Sequence, residues 1–139
     1  MRLMLEPEIA VLACEHATEE EKEELKRLCD EVESLYLAGE NHLQKDVEFH
    51  TCIARCSKNN VIEKLVPMIQ SAVITFVNIT HRQLKDETIE THRAITDAIL
   101  QGDSAGAKYA MIMHLNYNRQ MILKKKQEAS GEDRSRSGS

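Results

Sequence analysis

Asp46 and His50 stand four residues apart in a stretch of helical apolar periodicity, and both residue types bind metal ions or carry protons. On a wheel turning about 100° per residue, His50 falls about 40° from Asp46, with Leu43, Val47, Phe49, Ile53 and Ala54 crowding the same arc. A carboxylate aimed into a core is costly unless it is paired or bound to a cation. The i, i+4 spacing puts both side chains over one helix face, where they can reach a single ion. Applied along the rest of the chain, the same test finds His92 among Ile89, Ile95 and Ile99. It also finds His114 among Ala107, Ala110, Met111, Met121 and Ile122. A lone His on an apolar face is ordinarily a hydrogen-bonded core residue; three of them with a core-facing Asp point to a shared ion. Three neutral imidazoles and one carboxylate suit Zn first, and also Ni, Mn or Fe(II), with coordination positions left open in a five- or six-coordinate ion.

Other candidates fit less well. Cys52 and Cys56 are also spaced i, i+4, but they lie about 160° and about 120° from His50 on the wheel and cannot share its ion. They read as buried, inert thiols. His42 is one turn before Asp46 but at the helix end, and His16 falls between helices. His81 can face the cavity of the ion; so can Thr75 and Asn78, and Asn118 lies one turn beyond His114. These four are the candidates to contact a bound small molecule. No Glu-x-x-His pair of a di-iron bundle, phosphate-binding Gly-rich loop, nucleophile elbow or Cys-x-x-Cys pair occurs.

The elements that must hold these residues are helices. Only five Gly and two Pro in 139 residues leave too few turn signals for an all-β fold, and 42% apolar residues suffice for a core. A first helix is expected from about Arg2 to Cys14, either starting just before Pro7 or bending there. Thr18 with Glu21 forms a capping box that opens a second helix, closed by Gly39. A third spans about Asn41 to Cys56. Asn60 with Glu63 caps a fourth that reaches about Leu84, with a kink at Pro67. Asp86 opens a fifth helix ending at Gly102, and Asp103 opens a sixth reaching about Lys126. These make an all-α antiparallel bundle of about six helices over residues 1–127 around a buried metal site. Residues 128–139 form a polar tail expected to be disordered. No apolar run has the ~20 residues that cross a bilayer, no leader opens the chain, and a cytoplasmic location is expected. A net charge of −5 disfavours a dedicated nucleic-acid surface, and the four Cys read as thiols rather than disulfides.

These residues, in this order, resemble the FCD (FadR C-terminal) ligand-binding domain of GntR-type transcription regulators. Arg2 to Ala10 is similar to the family's first helix, and Asp46-Val-Glu-Phe-His50 to its Asp-x-x-Phe-His motif. Ser57-Lys-Asn59 resembles its Ser-Gly-Asn turn. His92 to Ile99, Gly102-Asp103 and Met113-His114-Leu115 resemble the two remaining His helices. The resemblance spans about Arg2 to Lys126. It implies a metal held by Asp46, His50, His92 and His114 beside a small organic acid effector, and a homodimer that reaches DNA only through a winged helix-turn-helix. That domain is absent from this chain, which is expected to be an excised domain or a truncated relative. Six helices favour the metal-containing VanR-like branch over the acyl-CoA-binding one. Thr91 stands where the family usually has Glu, and Lys58 where it usually has Gly; neither is expected to touch the four ligands, but Thr91 can change what surrounds them.

The leading expectation is therefore a metal-dependent small-carboxylate sensor domain and not an enzyme. The alternatives are a metal-dependent enzyme, or a helical interaction module with a structural metal. Against the enzyme, no second acid/base group stands near the ligands, because Glu48 lies on the opposite helix face. A helix-turn-helix over Ile53 to Leu65 fails because only Lys64 offers an early basic contact.

Overall fold

The computed structural model describes residues 2–80 and 85–117, and the side chains of 5–70 and 86–117. Among them are six helices and no strand: α1 (Arg2–His16), α2 (Glu19–Leu37), α3 (Leu43–Cys56), α4 (Asn60–Thr80), α5 (Lys85–Gln101) and α6 (104–117). The expected tail, and the extension of the last helix towards Lys126, lie outside the described residues.

Local chemistry sets the helix ends. The capping box at α2 is formed in full: Glu21 donates its backbone N–H to Thr18 Oγ1, and Glu21 Oε1 accepts from the Thr18 N–H. At α4 the cap is Asn59 rather than Asn60, because Asn59 Oδ1 accepts from the backbone N–H of Val61 and of Ile62. Asp103 caps α6 by accepting from the Gly106 N–H. Gly39 and Gly102 both take φ +70°, the left-handed conformation that stops a helix without a Cβ penalty. Both prolines are accommodated inside helices: Pro7 lies within α1 and Pro67 within α4.

α3 is the central element, packing against α1, α2 and α4, while α5 packs against α1 and α2. Its burial therefore extends round the helix beyond a single arc, taking in Phe49, His50, Cys52, Ile53, Ala54 and Cys56. Cys52 and Cys56 are buried free thiols on the side away from His50, with Cys52 Sγ 4.0 Å from the Glu21 carbonyl of α2. The hydrogen bond with Cys56, and then burial, push the Cys52 thiol up, so it stays protonated and unreactive. One continuous core joins Ile9, Ala10 and Ala13 of α1, Leu25, Leu28 and Val32 of α2, Phe49 and Ile53 of α3, Ile95 and Ile99 of α5, and Met111 of α6.

Lys58 closes α3 at φ +61°, where a Cβ is unfavourable by about 1 kcal/mol. Its ammonium pairs with Glu21, tying the end of α3 to the start of α2, but an ion pair this exposed contributes at most about 1 kcal/mol. Lys58→Ala loses the pair and keeps the strain, whereas Lys58→Gly loses both. Urea unfolding should therefore rank Lys58→Gly above Lys58→Ala by about 1 kcal/mol; equal stabilities would show that the left-handed turn stores no strain.

Candidate metal centre

Each histidine is delivered by a different helix, and the surrounding residues determine which ring nitrogen faces inward. His50 on α3 and His92 on α5 are each 2% exposed, and His114 on α6 is 1% exposed. One ring nitrogen from each lies within 4.8 Å of the other two. Ring centroids are 4.5 Å apart for His92 and His114, 5.2 Å for His50 and His114, and 5.7 Å for His50 and His92. Asp46, one turn before His50, brings Oδ1 to 3.1 Å from His92 Nε2 and 3.4 Å from His50 Nε2. The three histidines read from the wheel thus converge, and Asp46 lies beside two of them, because α5 and α6 present their His faces to the Asp46–His50 face of α3.

Two hydrogen bonds determine tautomers. Thr91 Oγ1 donates to the Glu87 carbonyl at 2.8 Å, which uses its only proton. At 3.0 Å from His114 Nδ1 it therefore accepts, so that Nδ1 carries the hydrogen and Nε2 keeps a lone pair. Likewise His50 Nδ1 lies 3.1 Å from Glu6 Oε1, which accepts its N–H and leaves Nε2 on the Asp46 side. Thr91 thus does touch a predicted ligand, contrary to the sequence expectation. It precedes His92 in α5, and the α5–α6 packing brings it onto the ring of His114.

Sequence reasoning also missed Glu6 and Gln70, each 2% exposed and joined by a 3.0 Å hydrogen bond from Gln70 Nε2 to Glu6 Oε1. The signal was present. Glu6 lies on the wheel amid Leu3, Ile9, Ala10 and Ala13, so the test that found Asp46 finds it too. Of the effector candidates, His81 and Asn118 lie outside the described residues. Thr75 and Asn78 lie on the second half of α4, where the backbone alone is described. His42 stacks on Tyr36, with ring centroids 3.6 Å apart.

Electrostatics favour a cation here. Seven buried side-chain polar atoms lack a hydrogen-bond partner among the described residues, and three of them are Asp46 Oδ1 and both ring nitrogens of His92. The Asp46–His92 approach is close but badly angled for a hydrogen bond. Such atoms cost about 1–3 kcal/mol each when left unsatisfied, and a shared ion would satisfy Oδ1 and one nitrogen at once. The donor set of three imidazoles and a carboxylate, with second partners already holding two of the rings, fits a divalent transition metal.

Residues 1–117 match the FCD domain family. The chain belongs to that family. This FCD domain is 35% identical over 127 residues to the uncharacterized HTH-type transcriptional regulator YcbG of Bacillus subtilis, covering 88% of this chain and 52% of the relative. It is 28% identical to the B. subtilis HTH-type transcriptional regulator LutR, covering 83% and 56%. To the putative L-lactate dehydrogenase operon regulatory protein of Escherichia coli it is 30% identical, covering 84% and 46%. The chain thus spans about half the length of the curated relatives it matches. Among solved structures, Streptococcus agalactiae GntR superposes with a TM-score of 0.77 at 34% identity, covering 86% of this chain and 55% of that one. E. coli McbR/YncC superposes at 0.73 with 17% identity, which shows the shared fold. The relatives named here are transcription regulators and not enzymes.

Protonation links this site to stability. Burial alone would lower His50, but Asp46 and Glu6 outweigh it and push it up to about 9. Burial dominates at His92 and lowers it. For Asp46, burial is outweighed by His92 and His50, which hold it well below the usual carboxylate range. The raised His50 contributes stability that is complete below about pH 6.5 and is lost as pH rises through about 9. Neutral His92 and ionised Asp46 contribute stability that is lost towards acid. Thermal melts of the metal-free FCD domain should therefore peak near about pH 6.5 and fall by a few degrees towards pH 9. A Tm that is flat across that interval would disprove the assigned charge on His50.

Proposed function

We propose that this FCD domain is the sensor part of a transcription regulator. In this reading it holds one divalent metal ion through Asp46, His50, His92 and His114, and a small carboxylate binds beside the ion. The observation that carries it is the convergence of three buried histidines from three helices with Asp46 beside two of them, where Asp46 Oδ1 and both His92 ring nitrogens have no hydrogen-bond partner among the described residues. Zn is the first candidate, with Ni, Mn and Fe(II) next, and the ion supplies positive charge and open coordination positions to a chelating acid. One E. coli relative carries the name putative L-lactate dehydrogenase operon regulatory protein, which supports testing lactate first, before acetate, citrate, malate and sugar acids. The metal-binding, VanR-like branch is the one this ligand set supports.

Sensing requires the acid to bind two arrangements of the bundle with different affinity. A homodimer carrying winged helix-turn-helix domains in the bacterial cytoplasm is the setting in which that difference reaches DNA. A net charge of −5 weighs against duplex binding by this chain alone. The second reading, a helical interaction module with a structural metal, differs in one respect: its ion is closed to added ligands.

Elemental analysis of protein purified without chelators should find one ion per chain. Adding Zn to chelator-treated protein should raise Tm by roughly 5–10 °C when the ion is in about hundredfold excess over its Kd. No ion and no shift would refute the metal site. Calorimetry should show lactate or another small carboxylate binding to the metal-loaded protein alone, with binding lost in a folded His114→Ala variant. Equal binding to metal-free protein would make the ion structural. A sequence-selective, salt-dependent shift of duplex DNA by this chain alone would refute the division of labour proposed here.

A further inference from the structure

Glu6 occupies a position that packing alone does not explain. The rest of the described inner face of α1 is apolar, with Ile9, Ala10 and Ala13 at most 2% exposed. Into that face the sequence places a carboxylate, itself 2% exposed, whose Oε1 meets His50 Nδ1 of α3 at 3.1 Å and Gln70 Nε2 of α4 at 3.0 Å. A buried carboxylate is costly to keep, and a core that needed only filling is served as well by Leu or Met at this position. What hydrocarbon cannot do is accept the His50 N–H. Without an acceptor on that side, the ring is free to turn or to adopt the other tautomer, and Nε2 no longer faces Asp46 and the other two imidazoles. Gln70 in turn holds the carboxylate from the opposite helix, so that α1, α3 and α4 meet at one oxygen atom.

We infer that Glu6 is a positioning residue for the metal centre: it orients His50 through Nδ1 and makes α1 the helix that registers whether the ion is present. This rests on the metal reading above. A cation held by His50 through Nε2 would make its Nδ1–H a stronger donor, so that the bond to Glu6, and with it the seating of α1, would tighten on loading. Thr91 performs the orienting task for His114, but it lies on α5 next to a ligand and adds no further helix to the site.

The test uses the full chain in wild-type, Glu6→Gln and Gln70→Met forms, each checked for folding by circular dichroism without metal. Each is titrated with Zn by competition against a chromophoric chelator and with Co for its visible d–d bands, and α1 amide exchange is followed with and without Zn. Wild-type protein should bind both ions and show slower α1 exchange when loaded. Glu6→Gln keeps the shape but weakens the acceptor, and should lose about 10- to 100-fold in affinity, shift the Co bands and lose most of the α1 protection. Gln70→Met should change in the same direction by a smaller factor, and it decides the matter if Glu6→Gln does not fold. Wild-type affinity, Co spectrum and α1 protection in the folded variants would overturn the role of Glu6 while leaving the metal site standing. A wild-type chain that takes up neither ion would overturn both.

Discussion

Glu6 from α1, Asp46 and His50 from α3, His92 from α5 and His114 from α6 meet where a helical bundle would ordinarily hold hydrocarbon. Each loses hydration when buried, and the loss is offset only if each finds a partner at a defined distance and angle. That requirement is far stricter than the requirement of apolar packing, which tolerates sliding of about a methyl group. The polar cluster therefore constrains how α1, α5 and α6 present these side chains to those of α3. Ile95, Ile99, Phe49 and Met111 around it exclude water and supply most of the stabilising burial.

Surface charges play a smaller part. Arg93 pairs with Asp30 and Glu33 of α2, and it directly follows His92. Lys108 of α6 reaches Glu8 of α1 at 3.1 Å. Exposed and half-buried pairs of this kind contribute about 1 kcal/mol or less each. They agree with the helix arrangement but do not decide it. The buried hydrogen bonds from His114 Nδ1 to Thr91 and from His50 Nδ1 to Glu6 carry more, because a buried donor without an acceptor forfeits its full desolvation cost.

Much of the site was legible from one rule applied to the bare sequence: a titratable residue on an apolar helical arc must have a reason. That rule identified Asp46, His50, His92 and His114, and it separated them from Cys52 and Cys56 on the far side of α3. It was not carried to α1, where Glu6 satisfies it equally, nor to α4, where Gln70 lies in the arc of Val66. Helix ends were legible where a side chain caps locally, as at Thr18 with Glu21. The start of α4 was misassigned by one residue because Asn59 and Asn60 are both competent caps, and the choice depends on where the turn after Ser57 leaves the chain.

The sequence by itself determined the all-helical class, the approximate helix ends and the identity of the converging histidines. These depend on periodicity, capping and turn chemistry acting over a few residues. Only the tertiary structure decided which second partners the His114 and His50 rings take, because Thr91 is 23 residues from His114 and Glu6 is 44 residues from His50. It also decided that α3 is buried on several sides rather than along one stripe. Both follow from how helices pack in three dimensions. Packing brings together atoms with no relation along the chain, and no spacing rule within one helix can report on them.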